Sequence, residues 1–112
     1  MLNTSISGAK SSWTTLESVK KNNFQVIIRN LWLEEDIKSS IDARRIHHQL
    51  LPMQVSFEDG VTMDATDYLT SCGHKLNDTV FLASNVVQGI SRRGGRVYAN
   101  YDFRKSGGVA GF

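Results

Sequence analysis

The sequence predicts a mixed α/β (α+β) fold, in which a small mixed sheet of about three strands carries helices on one face, and three observations lead there. Apolar residues recur at helical spacing in two separate segments, Phe24, Ile27, Ile28 and Leu31, then Ala65, Tyr68, Leu69 and Cys72. Met53, Val55 and Phe57, and later Val97, Ala99 and Tyr101, alternate with polar neighbours as half-buried strands do. The chain has 112 residues, of which 40% are hydrophobic and 21% charged, so it holds one domain's worth of sequence. That balance excludes a fully disordered chain, a collagen and a membrane bundle.

Residues 1 to about 22 are rich in Ser, Thr, Lys and Asn and read as a weakly ordered lead-in. From Phe24 a helix puts Phe24, Ile27, Ile28 and Leu31 on one face. Asp36 can cap a short second helix through Ile37 and Ile41, ending near Arg44, because its carboxylate can accept from free first-turn amides. The helical period is then lost, and Pro52 biases Leu51 toward an extended conformation. A strand over Met53 to Glu58 ends at the turn-forming pair Asp59-Gly60. A third helix follows, with Gly73 placed for a left-handed C-terminal cap and Cys72 on its buried face. Val80 to Ile90 is β-rich, Ser91 to Gly95 reads as a turn, and Arg96 to Tyr101 completes a hairpin. The tail from Phe103 is Gly-rich and has no period. A sheet this small must usually bury its other face against something further.

Few residues carry independent chemistry. Thirteen Lys and Arg against eleven Asp and Glu give a net charge of +2, too small to nominate a polyanion. The lone Cys72 can form neither an intrachain disulfide nor a thiolate cluster by itself. His47 and His48 are neighbours in an extended segment and point to opposite sides, and His74 is 26 residues beyond His48, so no metal site is expected. One ring is expected inside the fold and the other near solvent. The Ser11-Ser12 and Thr14-Thr15 pairs have no base beside them. Arg92, Arg93 and Arg96 read as a solvated hairpin tip rather than a nucleic-acid site. Asn3-Thr4-Ser5 and Asn77-Asp78-Thr79 fit the glycosylation pattern, which matters only in the secretory path. No apolar run of 18 residues and no signal-peptide pattern is present, so the chain as written is expected in the cytosol.

Three segments read together point to a family: Asn30-Leu31-Trp32 followed by Asp36, then RIHHQLLP at 45–52, then DFRKSGG at 102–108 with a terminal Ala110-Gly111-Phe112. In this order and spacing, from about Gln25 to Phe112, the chain resembles the C-terminal end of the small subunit of γ-glutamyltransferase, also called glutathione hydrolase. Arg44, Met53 and Phe103 depart from the family pattern, and none stands at a catalytic position. Residues 25–112 are therefore read as this small-subunit region, and residues 1–24 as an unrelated leader.

The resemblance implies part of an N-terminal nucleophile hydrolase fold, a four-layer αββα sandwich assembled from a large and a small subunit. In that family the N-terminal Thr of the small subunit is the nucleophile and its own amine the base. That Thr, in a T-x-H-x-S-like context about 100 residues upstream of the matching region, has no counterpart here, since neither Thr14 nor Thr15 is followed by such a pattern. Where the family has the Gly-Gly pair of its oxyanion hole, this chain has Ser18-Val19-Lys20-Lys21. The implied reading is a light-chain-like fragment, inactive alone in transfer or hydrolysis of the γ-glutamyl group of glutathione, with no catalytic, cofactor-binding or metal residues of its own. Its implied partner is a large subunit or the missing part of the small one. The family works at the cell surface or in the periplasm, with targeting carried by the large subunit. A non-enzymatic binding or subunit-completing module is the alternative.

Overall fold

The computed structural model describes residues 21–48, 50–77 and 86–111, so residues 1–20 of the predicted lead-in and the start of the β-rich stretch lie outside the described residues, while residues 21 and 22, read as part of that lead-in, already belong to a helix. Helix α1 is α-helical over residues 21–27 and widens into a π-helical segment at Ile28–Trp32. The wide turn shows as a 3.1 Å bond from the Leu33 amide to the Ile28 carbonyl, five residues back. Chain direction then reverses at Glu34, which takes a φ of 56°. The inward side of α1 carries Asn22, Val26 and Asn30, spaced four apart and buried. Phe24, Ile27 and Leu31 are 61%, 52% and 67% exposed. Periodicity located this helix and its apolar face, but that face turns away from the chain's own core.

Helix α2, Ile37–Asp42, begins as the sequence predicts: Asp36 Oδ1 accepts from the Ser39 amide at 2.8 Å, and Oδ2 accepts from the Ser39 hydroxyl at 2.7 Å. These bonds hold the exposed Asp36 carboxyl below the usual carboxylate range. Ile41 is fully buried and joins Val26 and Val87 in the core, with Ile37 packed against them.

Strand β1, Ile46–His48, lies in a stretch where the sequence suggested no element. It pairs antiparallel with β2, Val55–Phe57, placing His48 opposite Val55 and Ile46 opposite Phe57. Helix α3, Met63–Ser71, connects β2 to β3, Leu76–Asn77, which runs parallel to β2 with Leu76 beside Val55. The mixed three-stranded sheet is real, yet its strands are β1, β2 and β3. The hairpin of β4, Gly89–Arg93, and β5, Arg96–Asn100, forms a separate two-stranded sheet. Its turn is tighter than the sequence suggested: Ser91, Arg92 and Arg93 belong to β4, and Gly94 and Gly95 alone reverse the chain at φ values of 57° and 77°. No residue of α3 is buried, and Cys72 at its end is exposed rather than packed, because nothing in the described chain covers that helix's apolar side.

The hairpin lies against α2 at Gly89. A Cβ added there would stand 2.8 Å from Ile37 Cδ1 and 3.2 Å from Ile41 Cδ1, inside contact distance of two side chains that line the small core. Gly89→Val should therefore lever β4 off α2, raising hydrogen-exchange rates of the Ser40 and Ile41 amides by about tenfold or more. Unchanged protection of those amides would show that the contact yields at no cost.

A buried ion-pair network as the candidate functional site

Four charged side chains far apart in sequence meet under the end of α2. Arg45 directly precedes β1, Glu58 directly follows β2, and Asp102 and Arg104 lie just past β5. The β1–β2 ladder sets the first two side by side: the Glu58 amide donates to the Arg45 carbonyl at 3.1 Å, and Glu58 Oε2 accepts from the Arg45 amide at 3.1 Å. The hairpin returns the chain so that Asp102, fully buried, reaches the same place.

Arg45 Nη2 donates to Asp102 Oδ2 at 2.6 Å and to the Ile41 carbonyl at 2.9 Å. Arg104 completes the set, giving Nε–H to Glu58 Oε1 at 2.6 Å and Nη1–H to Asp102 Oδ1 at 3.0 Å. Its second nitrogen, Nη2, bonds Glu58 Oε2, which makes the Glu58 pairing two-pronged. The same guanidinium donates to the Ile41 carbonyl at 3.1 Å and the Ala43 carbonyl at 2.9 Å, so it also caps the C-terminus of α2, where a cation is favoured. Two cations and two anions balance. The Val87 amide adds a 3.2 Å bond to Asp102 Oδ2, fastening the residue that completes the hydrophobic core. The Phe103 ring, at a position departing from the family pattern, lies 4.7 Å from Arg104 Cζ.

Burial pushes the Asp102 carboxyl up, but the hydrogen bonds from Arg45, Arg104 and the Val87 amide outweigh it, and the group stays below the usual carboxylate range. Burial pulls Arg104 down, and its bonds to Glu58 and Asp102 more than restore it. Such a network specifies an arrangement more than it adds net stability, since desolvation of four charges offsets much of their attraction.

The residues considered for chemistry from the sequence are placed as follows. His47 is buried and His48 half-buried, as alternation across a strand requires. Arg93 does not sit free at a hairpin tip: it donates to the Glu34 carbonyl at 3.0 Å and the Asn30 carbonyl at 3.2 Å, tying β4 to the end of α1. Arg92 and Arg96 are exposed. The Ser11-Ser12, Thr14-Thr15 and Asn3 segments lie outside the described residues, as do Asp78 and Thr79. Among the described residues no three His, Cys, Asp or Glu side chains form a metal-binding group, and no helix is long and apolar enough to cross a membrane.

The family described as Gamma-glutamyltranspeptidase matches residues 17–112. The chain belongs to the gamma-glutamyltranspeptidase family. Among curated relatives, scoloptoxin SSD20 of Scolopendra dehaani is 43% identical over 86 residues, covering 76% of this chain and 43% of the relative. Human glutathione hydrolase 5 proenzyme is 34% identical over 88 residues, covering 79% of this chain and 15% of the relative. Among solved structures, the Pseudomonas nitroreducens gamma-glutamyltranspeptidase complexed with L-DON superposes with a TM-score of 0.68 at 25% identity, over 81% of this chain and 48% of that one. A Helicobacter pylori gamma-glutamyltranspeptidase variant superposes with a TM-score of 0.65 at 24% identity, over 76% of this chain and 47% of its own. The fold is thus a part of the N-terminal nucleophile hydrolase fold, and the chain spans less than half the length of these relatives. The DFRKSGG segment that marks the family at the sequence level is the one the network anchors.

Removing one member strands a buried charge, a loss of about 3–5 kcal/mol. Asp102→Ala should free Arg104, whose side chain is only 7% exposed, so that trypsin cleaves after it at least about tenfold faster, while cleavage after the exposed Lys105 changes little. Equal acceleration at both sites would mean general loosening rather than loss of the anchor. The pH response has a fixed sign. A carboxyl whose folded pKa is depressed stabilises the fold above the unfolded carboxylate range and loses that contribution as pH falls through the folded value. The Val87 amide resonance should accordingly titrate below about pH 4, and should be flat with pH in Asp102→Asn.

Proposed function

We propose that this chain is the C-terminal part, residues 25–112, of the small subunit of a γ-glutamyl-transferring or glutathione-hydrolysing protein. On this reading it completes a larger fold and is inactive alone. The observation that carries it is the apolar surface left open on α1 and its neighbours. Phe24, Ile27, Leu31, Trp32 and Leu33 are all more than half exposed. Phe24 and Ile46 also line an open groove of about 650 Å³ beside β1. Only four hydrophobic residues, Val26, Ile41, Val55 and Val87, are buried among those described. A core of that size does not offset the ordering of some 80 residues at about 1–2 kcal/mol each.

The chain length left over in the relatives is the natural cover for that surface, since this chain accounts for less than half of each. The partner is thus the missing part of the small subunit or a large subunit, and the compartment is wherever that partner carries the chain. The nucleophilic Thr and the Gly-Gly pair implied by the resemblance have no counterparts in these 112 residues, so the terms that usually supply most of the rate are absent. Residues before the family-like region are a separate leader on this reading, although the family match itself reaches back to residue 17.

The test has two arms. Incubated with glutathione, the 112-residue chain should release no γ-glutamyl product above the uncatalysed rate; turnover by the chain alone would overturn the assignment. Urea unfolding followed by far-UV circular dichroism should be shallow, and should steepen when the upstream part of a family small subunit is supplied in trans. A single steep transition of the chain alone, with a slope suited to about 100 residues, would instead make it an independent module.

A further inference from the structure

The sequence separates His48 from His74 by 26 residues and offers no reason to join them. The fold joins them through Val55. That residue pairs with His48 across the β1–β2 ladder, and its amide donates to the Lys75 carbonyl at 2.8 Å, next to His74. His74 is itself fixed by the end of α3, where its amide donates to the Leu69 carbonyl at 3.1 Å after Gly73 turns the chain at a φ of 88°. The two imidazole centroids stand 5.8 Å apart with their planes inclined at 75°. Among the described residues neither ring has a hydrogen bond or ion pair, and His74 is exposed while His48 borders the groove beside β1.

We propose that His48 and His74 form a two-imidazole site for a divalent transition-metal ion of the zinc type. Imidazole nitrogen binds zinc at about 2.0–2.1 Å, which puts the centroids of two ligand rings on one tetrahedral or wider site about 5 to 6 Å apart. The observed spacing lies in that window. Inclined planes suit two ligands approaching one ion from different directions. No third His, Cys, Asp or Glu side chain among the described residues completes the set, so the remaining positions take water or a donor from another chain. An open site of this kind is exchangeable. Lys21, whose ammonium donates to the His48 carbonyl, places a cation nearby and limits the affinity.

The experiment is a zinc titration of the whole chain by calorimetry, repeated on His48→Asn, His74→Ala and the double variant, with far-UV circular dichroism recorded at each zinc level. One equivalent should bind the native sequence. Each single variant should bind at least about tenfold more weakly, and the double variant no more weakly than either single one, because a chelate is lost whole when one arm goes. Since the site exists only where the fold brings the rings together, zinc should also increase ordered structure in the native sequence and not in the variants. That readout works whether or not the chain folds fully by itself. No zinc binding by the native sequence, single variants within about twofold of it, or the same dichroism response in all four proteins would overturn the proposal.

Discussion

Asp102 is the constraint on which the described structure hangs. Its carboxylate is fully buried and takes bonds from Arg45, Arg104 and the Val87 amide, so it joins the end of α2, the approach to β1, the residues leading into the hairpin and the C-terminal segment. A buried anion tolerates no partial arrangement: with any partner absent, its desolvation is uncompensated. The four charged groups therefore form as a set or not at all, and with them the position of β4 and β5 on α2. Gly89 supports this from the other side, because its missing Cβ lets the hairpin come close enough for Asp102 to reach Arg45.

Much of the local structure was legible, because local structure depends on neighbours in sequence. The Asp36 cap is a contact between residues three apart, and the reversal at Gly94-Gly95 needs only the conformational freedom of two adjacent glycines. What could not be read has a common physical cause. Strands β1 and β3 are three and two residues long, too short for any period, and exist because β2 offers each a paired edge. The same edges explain why the three-stranded sheet is not the one built from the predicted hairpin. Periodicity shows that a helix is amphipathic but not what meets its apolar side, hence the exposed Phe24, Leu31 and Cys72.

The candidate site was the least legible part. Charged residues are expected on the surface, and Arg45, Glu58, Asp102 and Arg104 carry no local mark of burial. Asp102 and Arg104 stood out only through the family-like DFRKSGG segment, and their partners lie 57 and 46 residues away. His48 and His74 show the same limit. Alternation along the strand argued correctly that His47 and His48 diverge, yet it could say nothing of a ring delivered by the far end of α3.

The two halves of the energetics point in one direction. The ion-pair network fixes register but contributes little net stability, because four desolvated charges cost nearly what their attraction returns. The buried hydrophobic residues among those described are few, and the contact between Arg45 and Asp102 joins positions 57 apart in sequence, which carries a loop-closure cost. Neither term sustains the other alone. Further apolar area lies on the exposed faces of α1 and α3, and burying it would add the stabilisation these terms lack. On the proposed reading, apolar cover orders α1 and α2, and the network then fixes the C-terminal segment on that frame. On that same reading, a chain built this way is specific about its own geometry while the missing part of the family fold supplies the stability that holds it there.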